Sequence, residues 1–387
     1  MLSDVYFPRI NGVSTSIRTF RRELHSLGHE VTLVVPDYGL GVEADDPGLL
    51  RIPARRLPLD PEDSMMRRRP LCELRARLAE RQYDILHIQT PFVAHYAGLR
   101  LADALGLPRV ESYHTFFEEY LFHYLPLVPD AWMRYLARRF TRSQCKQVDA
   151  LVMPSNAMLE VLRGYGVETP AQVVPTGLDG LEFRGGDGAA FRRRHGIPAD
   201  RPVLVHVGRV AFEKNIDFLL RVLARVRRTI PEVLLVVAGE GPAMGHLQRL
   251  GRHLSLEDNL LFVGYLRRDG ELLDCYRAGD AFVFASRTET QGLVLLEAMA
   301  LGVPVVSTAV MGTWDIVAPE RGTLCAAEEP DAFAARVLAL LRDPALAARL
   351  RREGPVFAGS WSSPAQARRV LDRARDAELP SVAAEAA

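Results

Sequence analysis

The chain has 387 residues, 48% of them hydrophobic and 25% charged, with 48 Lys and Arg against 48 Asp and Glu. That length suits two domains of roughly 100–200 residues each. The apolar content excludes disorder over most of the chain, and the zero net charge argues against a general nucleic-acid binder. Cys72, Cys145, Cys275 and Cys325 lie far apart with no C-x-x-C spacing, so neither a zinc site nor a disulfide framework is expected, and a reducing compartment fits. The start MLSDVYFPRINGV has no basic segment followed by an apolar core and does not read as a signal peptide. No apolar run approaches the roughly 18 residues that span a bilayer. The expectation is a cytoplasmic protein that can still touch a membrane surface. Of the basic residues only Lys146 and Lys214 are lysines. A lysine that survives such a bias is a candidate for a place where an ammonium serves and a guanidinium fork does not.

Strand and helix signals alternate along the chain. Apolar runs at Val31–Pro36, Asp84–Ile88, Val110–Tyr113, Ala150–Pro154 and Gln172–Pro175 read as strands. Helical stretches at Ser14–Leu27, Leu71–Arg81 and Val93–Leu105 lie between them. Only Met1–Val5 is available for a strand before Tyr6-Phe7-Pro8. The Gly- and Asp-rich segment Thr176–Ala189 has no periodicity and reads as an interdomain linker. A second series follows, with strands at Val203–Val207, Leu234–Ala238, Leu260–Val263, Ala281–Ala285 and Pro304–Ser307 and helices at Ile216–Thr229, Gly292–Ala300 and Asp331–Leu341. Continuous apolar strands separated by helices mean parallel sheets covered on both faces. The fold class is α/β, with two doubly wound Rossmann-like domains facing across a cleft at the strand C-terminal ends, where ligands bind. A last helix, Ser363–Glu378, is expected to pack back on the first domain.

Six motifs carry chemical content. Asn11-Gly12-Val13 precedes a helix, so backbone amides at Gly12 can approach an anion; a plain strand-to-helix turn is the alternative. Gly208-Arg209 and Glu213-Lys214 follow a strand, placing two cations where a diphosphate can be gripped. Ala238-Gly239-Glu240-Gly241-Pro242 forms another strand-end turn, where Glu240 and Gly241 can let a base or ribose lie close. Ser286–Glu297 (SRTETQGLVLLE) places Glu289 in a loop and Glu297 two turns inside a helix. Gln291, Gly292, Leu293 and Val294 span the start of that helix, whose free amides suit an anionic group. Glu297 sits among Leu295, Leu296, Ala298 and Met299, so it is expected to be buried and to need partners. His114 ends a strand and can bond a sugar hydroxyl or phosphate, and the aromatic run Phe116–Leu125 behind it can be core or an acceptor channel. Finally, Asp130–Gln147 repeats Arg134, Arg138, Arg142 and Lys146 every four residues beside Trp132, Leu136 and Phe140. Such a basic amphipathic helix can lie on an anionic membrane surface, with Met65–Arg69 as a second basic-apolar patch; packing on its own domain is the alternative.

In this order the motifs resemble the retaining glycosyltransferases of family 4, which have the GT-B fold. The resemblance runs from FPRINGVSTSI through GHEVTLVVP, VPTGLD, VGRVAFEKN and VAGEGP to ETQGLVLLEAMALGVPVV. YHTFFEEYL and TETQGLVLLEAMA look most like lipid-directed members, such as diacylglycerol glucosyltransferases and phosphatidylinositol mannosyltransferases. Gln291 stands where many members have an aromatic residue. The resemblance implies an acceptor domain over residues 1–176, a nucleotide-sugar domain over 177–359 and a returning helix at about 360–379. It implies transfer of a hexose from a UDP- or GDP-sugar to an acceptor hydroxyl, with a membrane glycolipid precursor such as diacylglycerol favoured over a soluble saccharide. Gly12 would approach the donor phosphate or the acceptor, and Arg209 and Lys214 would neutralise the leaving diphosphate. Glu289 would hold hydroxyls of the transferred sugar and Glu297 the ribose, while His114 would contact the sugar and help stabilise the charged transition state. No D-x-D pair is present for a divalent metal, so no metal and no resident cofactor are expected beside the nucleotide-sugar co-substrate. A GT-B epimerase or binding module is the competing class. An NAD-dependent dehydrogenase is disfavoured because no G-x-G-x-x-G opens a helix after an early strand.

Overall fold

The structure, a computed structural model, describes residues 1–9, 11–39, 46–56, 64–114, 130–180, 182–268 and 270–362. The aromatic run Phe116–Leu125 and the closing helix Ser363–Glu378 lie outside the described residues. Two compact units divide the chain between Gly177 and Leu178.

The first unit contains α1 (Gly12–Ser26), β1 (Leu33–Asp37), β2 (Leu49–Arg56), β3 (Ser64–Met66), α2 (Arg68–Ala79), β4 (Leu86–Ile88), α3 (Val93–Leu105), β5 (Arg109–Ser112), α4 (Asp130–Cys145), β6 (Ala150–Met153), α5 (Asn156–Gly164) and β7 (Ala171–Val173). Helix α1 starts where it does because Asn11 caps it. The Asn11 Oδ1 accepts from the Ser14 amide at 2.8 Å, and the Ser14 Oγ accepts from the Asn11 amide at 2.9 Å, a reciprocal cap that satisfies two otherwise orphaned donors.

Strands pair as β1-β2-β3 and β4-β5-β6-β7, all parallel except β3. The expected first strand is reduced to a single bridging residue. Leu2 pairs with Val34 on one side and Ile88 on the other, joining the two groups of strands. Just beyond, the buried Asp4 carboxylate accepts from the Thr90 hydroxyl at 2.8 Å and the Ala94 amide at 3.1 Å, placing a carboxylate at the positive N-terminus of α3. Burial nevertheless pushes the Asp4 pKa up to about 6.

The second unit contains α6 (Gly188–Arg194), β8 (Val203–Val207), α7 (Ile216–Val226), β9 (Leu234–Ala238), α8 (Met244–His253), β10 (Leu260–Gly264), α9 (Glu271–Ala278), β11 (Ala281–Phe284), α10 (Leu293–Ala300), β12 (Val305–Ser307), α11 (Trp314–Val317), β13 (Thr323–Cys325), α12 (Pro330–Arg342) and α13 (Pro344–Gly359). The strands form one parallel sheet in the order β10-β9-β8-β11-β12-β13. Alternation along each strand produces one core per face. Val203, Val205, Val236, Phe282 and Phe284 pack on one side, and Leu204, Leu235, Val237, Ala281 and Val283 on the other. Each such fully buried Val, Leu or Phe side chain contributes about 1.5–3 kcal/mol.

The expected linker is corrected here. Leu178 and Phe183 are buried in the second unit's core, and the Leu178 amide donates to the Trp361 carbonyl at 2.8 Å. The Gly and Asp composition hides two apolar anchors, so this stretch is part of the second unit from Leu178 onward.

Candidate active site

Strands β8 and β11 are neighbours in the sheet, so the loops leaving their C-terminal ends lie side by side. One carries Arg209 and a single-turn helix, Phe212–Lys214; the other carries Glu289. The Lys214 Nζ donates to the Glu289 Oε1 at 2.5 Å, with about one fifth of each side chain exposed (21% and 19%). Asn215, held in the left-handed region at φ 55°, ties the two loops together. Its Nδ2 donates to the Ala285 carbonyl at 3.1 Å and to the Glu328 Oε1 at 3.0 Å. The Glu289 carbonyl accepts from the Gly312 amide at 2.9 Å. The pair is therefore held from both sides, with Arg209 half-buried in the same β8 loop.

Helix α10 opens at Gly292, whose φ of 91° suits only glycine. A Cβ there would press on the Leu295 Cδ1 at 2.7 Å and the Thr313 Cγ2 at 2.9 Å. Gln291 is buried, and Leu293 and Val294 are half-buried. The first amides of this helix have no partner within it and carry the positive end of its dipole. Two turns in, Glu297 is 2% exposed. Its carboxylate accepts from the Tyr276 hydroxyl at 2.7 Å and from Arg268 at 2.8 Å. These bonds supply the partners that a buried charge requires, and neither residue carries a local sequence signal for the role.

In the turn at Gly239–Pro242 the glycines approach protein backbone closely. A Cβ on Gly239 would collide with the Gly208 carbonyl oxygen, and one on Gly241 with the Val210 carbonyl oxygen. Both have φ beyond 130°, and the Gly208 and Val210 amides donate to the Ala238 and Glu240 carbonyls at 3.0 and 2.9 Å. The close approach is thus to the Arg209 loop, which the glycines brace. The Glu240 side chain is exposed.

Beneath the Lys214–Glu289 pair, His206 is fully buried in β8 and stacks on Phe284 at 5.6 Å. Its Nδ1–H donates to the Val283 carbonyl at 3.1 Å. Burial, and secondarily the Lys214 charge, push its pKa down to about 4, so the ring is neutral near pH 7. A lone His inside VLVHV was the available signal for it.

Gly12 and His114 belong to the first unit. Gly12 is the first residue of α1, with open space where a Cβ would lie, so no neighbour among the described residues demands glycine there. The His114 Nε2 lies 3.1 Å from the Oε1 of the fully buried Gln89. That carbonyl can only accept, so Nε2 carries the proton and Nδ1 the lone pair. Burial pushes the His114 pKa down to about 4. The ring is therefore neutral near pH 7, with a lone pair on Nδ1. Among the described residues no group of three or more His, Cys, Asp or Glu side chains is placed to hold a metal ion.

Two Rossmann-like units, the second with paired cations and carboxylates at its strand C-terminal ends, define a glycosyltransferase of the GT-B class. Residues 10–180 match the model for Glycosyltransferase Family 4, and residues 187–356 match Glycosyl transferases group 1. The chain is 32% identical over 316 residues to the alpha-monoglucosyldiacylglycerol synthase of Streptococcus pneumoniae, covering 79% of this chain and 70% of that protein. It is 30% identical over 330 residues to the GDP-mannose-dependent alpha-mannosyltransferase of Mycobacterium tuberculosis, covering 83% of this chain and 81% of that one. The structure of sucrose-phosphate synthase from Thermosynechococcus elongatus superposes with a TM-score of 0.75 at 22% identity, covering 96% of this chain and 94% of that one. The chain belongs to glycosyltransferase family 4.

Proposed function

We propose that this enzyme moves a hexose from a UDP- or GDP-sugar to the hydroxyl of a membrane lipid of the diacylglycerol type, with retention and without a metal. The observation that carries the lipid acceptor is the surface of α4. This helix buries Met133, Ala137, Thr141, Gln144 and Cys145. Trp132, Tyr135 and Leu136 are instead 64%, 55% and 50% exposed, on a helix that also exposes Arg134, Arg139 and Arg142, with Lys146 exposed just past its end. Three large apolar side chains left in solvent beside cations suit an anionic lipid surface, where each basic residue contributes about 1 kcal/mol. Met65 and Arg67 are exposed as well. No helix among the described residues is long and apolar enough to cross a membrane, so contact through α4 would be peripheral. The name of the Streptococcus pneumoniae relative supports a glucosylated diacylglycerol product, and that of the Mycobacterium tuberculosis relative supports a nucleotide-hexose donor.

The roles follow from charge. Breaking the bond from the anomeric carbon to the diphosphate leaves negative charge on the departing nucleotide and positive character on the sugar. Arg209, Lys214 and the first amides of α10 stabilise the former, preorganised and needing no metal. Glu289 orients both the Lys214 ammonium and the sugar hydroxyls, and Glu297 accepts from the ribose. The acceptor oxygen bonds the anomeric carbon on the face the diphosphate leaves, and its proton passes to a donor phosphate oxygen. The test is product analysis with UDP- and GDP-hexoses and diacylglycerol vesicles. An α-hexosyl diacylglycerol, seen by the anomeric coupling in NMR, is expected; a β-linked product would overturn retention, and no lipid product would overturn the acceptor.

A further inference from the structure

The first unit has a cavity of about 790 Å³ between α2, α3, the start of β5 and the end of α4. Arg109 opens β5 and His114 follows its far end, so the cavity lies at the opposite strand ends from the residue read as touching sugar. Among the described residues six charged side chains line it: Arg75, Arg100, Arg109, Lys146, Asp103 and Asp149. Arg109 engages both carboxylates. Its guanidinium is 3.1 Å from Asp103 and 3.9 Å from Asp149, and its amide donates to Asp149 at 2.7 Å. Arg75, Arg100 and Lys146 have no ion-pair partner among the described residues. Among the described residues, four cations against two carboxylates leave two positive charges uncompensated at one concavity, a geometry that focuses potential and concentrates anions. Val93, Leu99 and the ring of Tyr96 supply apolar wall beside this charge, and the volume falls within the roughly 300–1,000 Å³ of small-molecule sites.

We propose that this cavity is a second binding site, separate from the transferase centre, for a phosphate-bearing ligand with a small apolar or glycerol portion. The phosphate sits among Arg75, Arg100 and Lys146, and the remainder lies against Tyr96. Lys146, counted above among the cations exposed beside the lipid-facing side chains, is also a lining residue of this cavity. The same chemistry is offered by a soluble phosphorylated glycerol and by a phosphoglycerol head group at a membrane surface.

The two lysines allow each site to be read separately. Acetylation of the full-length protein, mapped by mass spectrometry, reports Lys146 in the cavity and Lys214 in the donor site. The probes are sn-glycerol 3-phosphate, phosphatidylglycerol vesicles and phosphatidylcholine vesicles. Acetylation of Lys146 should slow about tenfold with at least one phosphoglycerol probe at ten times its Kd. Protection should be lost in Arg75→Gln/Arg100→Gln, whose two exposed positions lie off α4, while Lys214 keeps its wild-type reactivity. Protection by sn-glycerol 3-phosphate identifies a soluble ligand. Protection by phosphatidylglycerol vesicles alone, abolished in the double variant, identifies a head group. Lys146 acetylation unchanged by both phosphoglycerol probes, or protection that persists in the double variant, overturns the proposal; the latter would show surface docking of α4 instead.

Discussion

Lys214 and Glu289 meet at 2.5 Å across 75 residues of sequence, joining the loops of two adjacent parallel strands. Each limits where the other's charge can go. Lys214→Ala or Glu289→Ala is expected to cut turnover at least about 100-fold, the scale of losing one preorganised electrostatic stabiliser. Unchanged circular dichroism and melting temperature would show that the fold is intact. Lys214→Arg should restore little, because a planar fork does not replace a compact ammonium.

Glu297 makes a different prediction, because its two protein bonds set the orientation of a carboxylate read as holding ribose. Tyr276→Phe removes one of them. A hydrogen bond to a charged group is worth about 1.5–3 kcal/mol. The donor KM should rise about tenfold, while kcat stays within about twofold, since the interaction is made equally in ground and transition states. Steady-state kinetics with varied donor at saturating acceptor would separate the two.

Gly239→Ala would drive a methyl group into the Gly208 carbonyl while the backbone is held at φ 138°. Stability should fall by at least about 2 kcal/mol, since strain and overpacking each cost on the order of 1–3 kcal/mol. The measurement is a urea melt, and activity should fall with it as the Arg209 loop shifts.

His206 links stability to pH. Its folded pKa of about 4 lies below the ordinary 6.5, so the unfolded chain takes up the proton first. Its contribution is present in full above pH 6.5 and is lost as pH falls towards 4. Between pH 7 and 4.5 this amounts to about 2–3 kcal/mol. In His206→Phe, which keeps an aromatic ring between its neighbours, the acid-side decline in urea-melt stability should be shallower by that amount.

The surface of α4 yields the membrane prediction. Trp132→Ser/Leu136→Ser removes two exposed apolar side chains and should leave the melting temperature unchanged. Binding to anionic vesicles, measured by sedimentation, should weaken at least tenfold, because burying each side chain in lipid is worth about 1.5–3 kcal/mol.

Much of this architecture was legible along the chain. The apolar runs Val203–Val207 and Leu234–Ala238 are β8 and β9 to the residue, because a strand buried on both faces needs no alternation to be recognised. Lys214 and Glu289 were legible as strand-end residues, and the apolar flanks of Glu297 announced its burial. Their partners were not. Gln89, Arg268 and Tyr276 reach His114 and Glu297 across 25, 29 and 21 residues, and only the sheet order brings them together. The turn Gly239–Gly241 was ambiguous for another reason: glycine serves a close approach equally whether the neighbour is a ligand or another loop. Helix α4 offers two stripes at the same spacing. Periodicity alone does not say that Met133 and Ala137, rather than Trp132 and Leu136, face the core.

The Lys214–Glu289 centre is expected to deliver its sugar to a lipid. The most direct measurement compares hexose transfer and donor hydrolysis across UDP- and GDP-sugars, with and without liposomes containing diacylglycerol and anionic lipid. Transfer that appears only with liposomes, and disappears in Glu289→Ala, is the predicted result. Slow donor hydrolysis indifferent to liposomes, with transfer to a soluble saccharide instead, would contradict it.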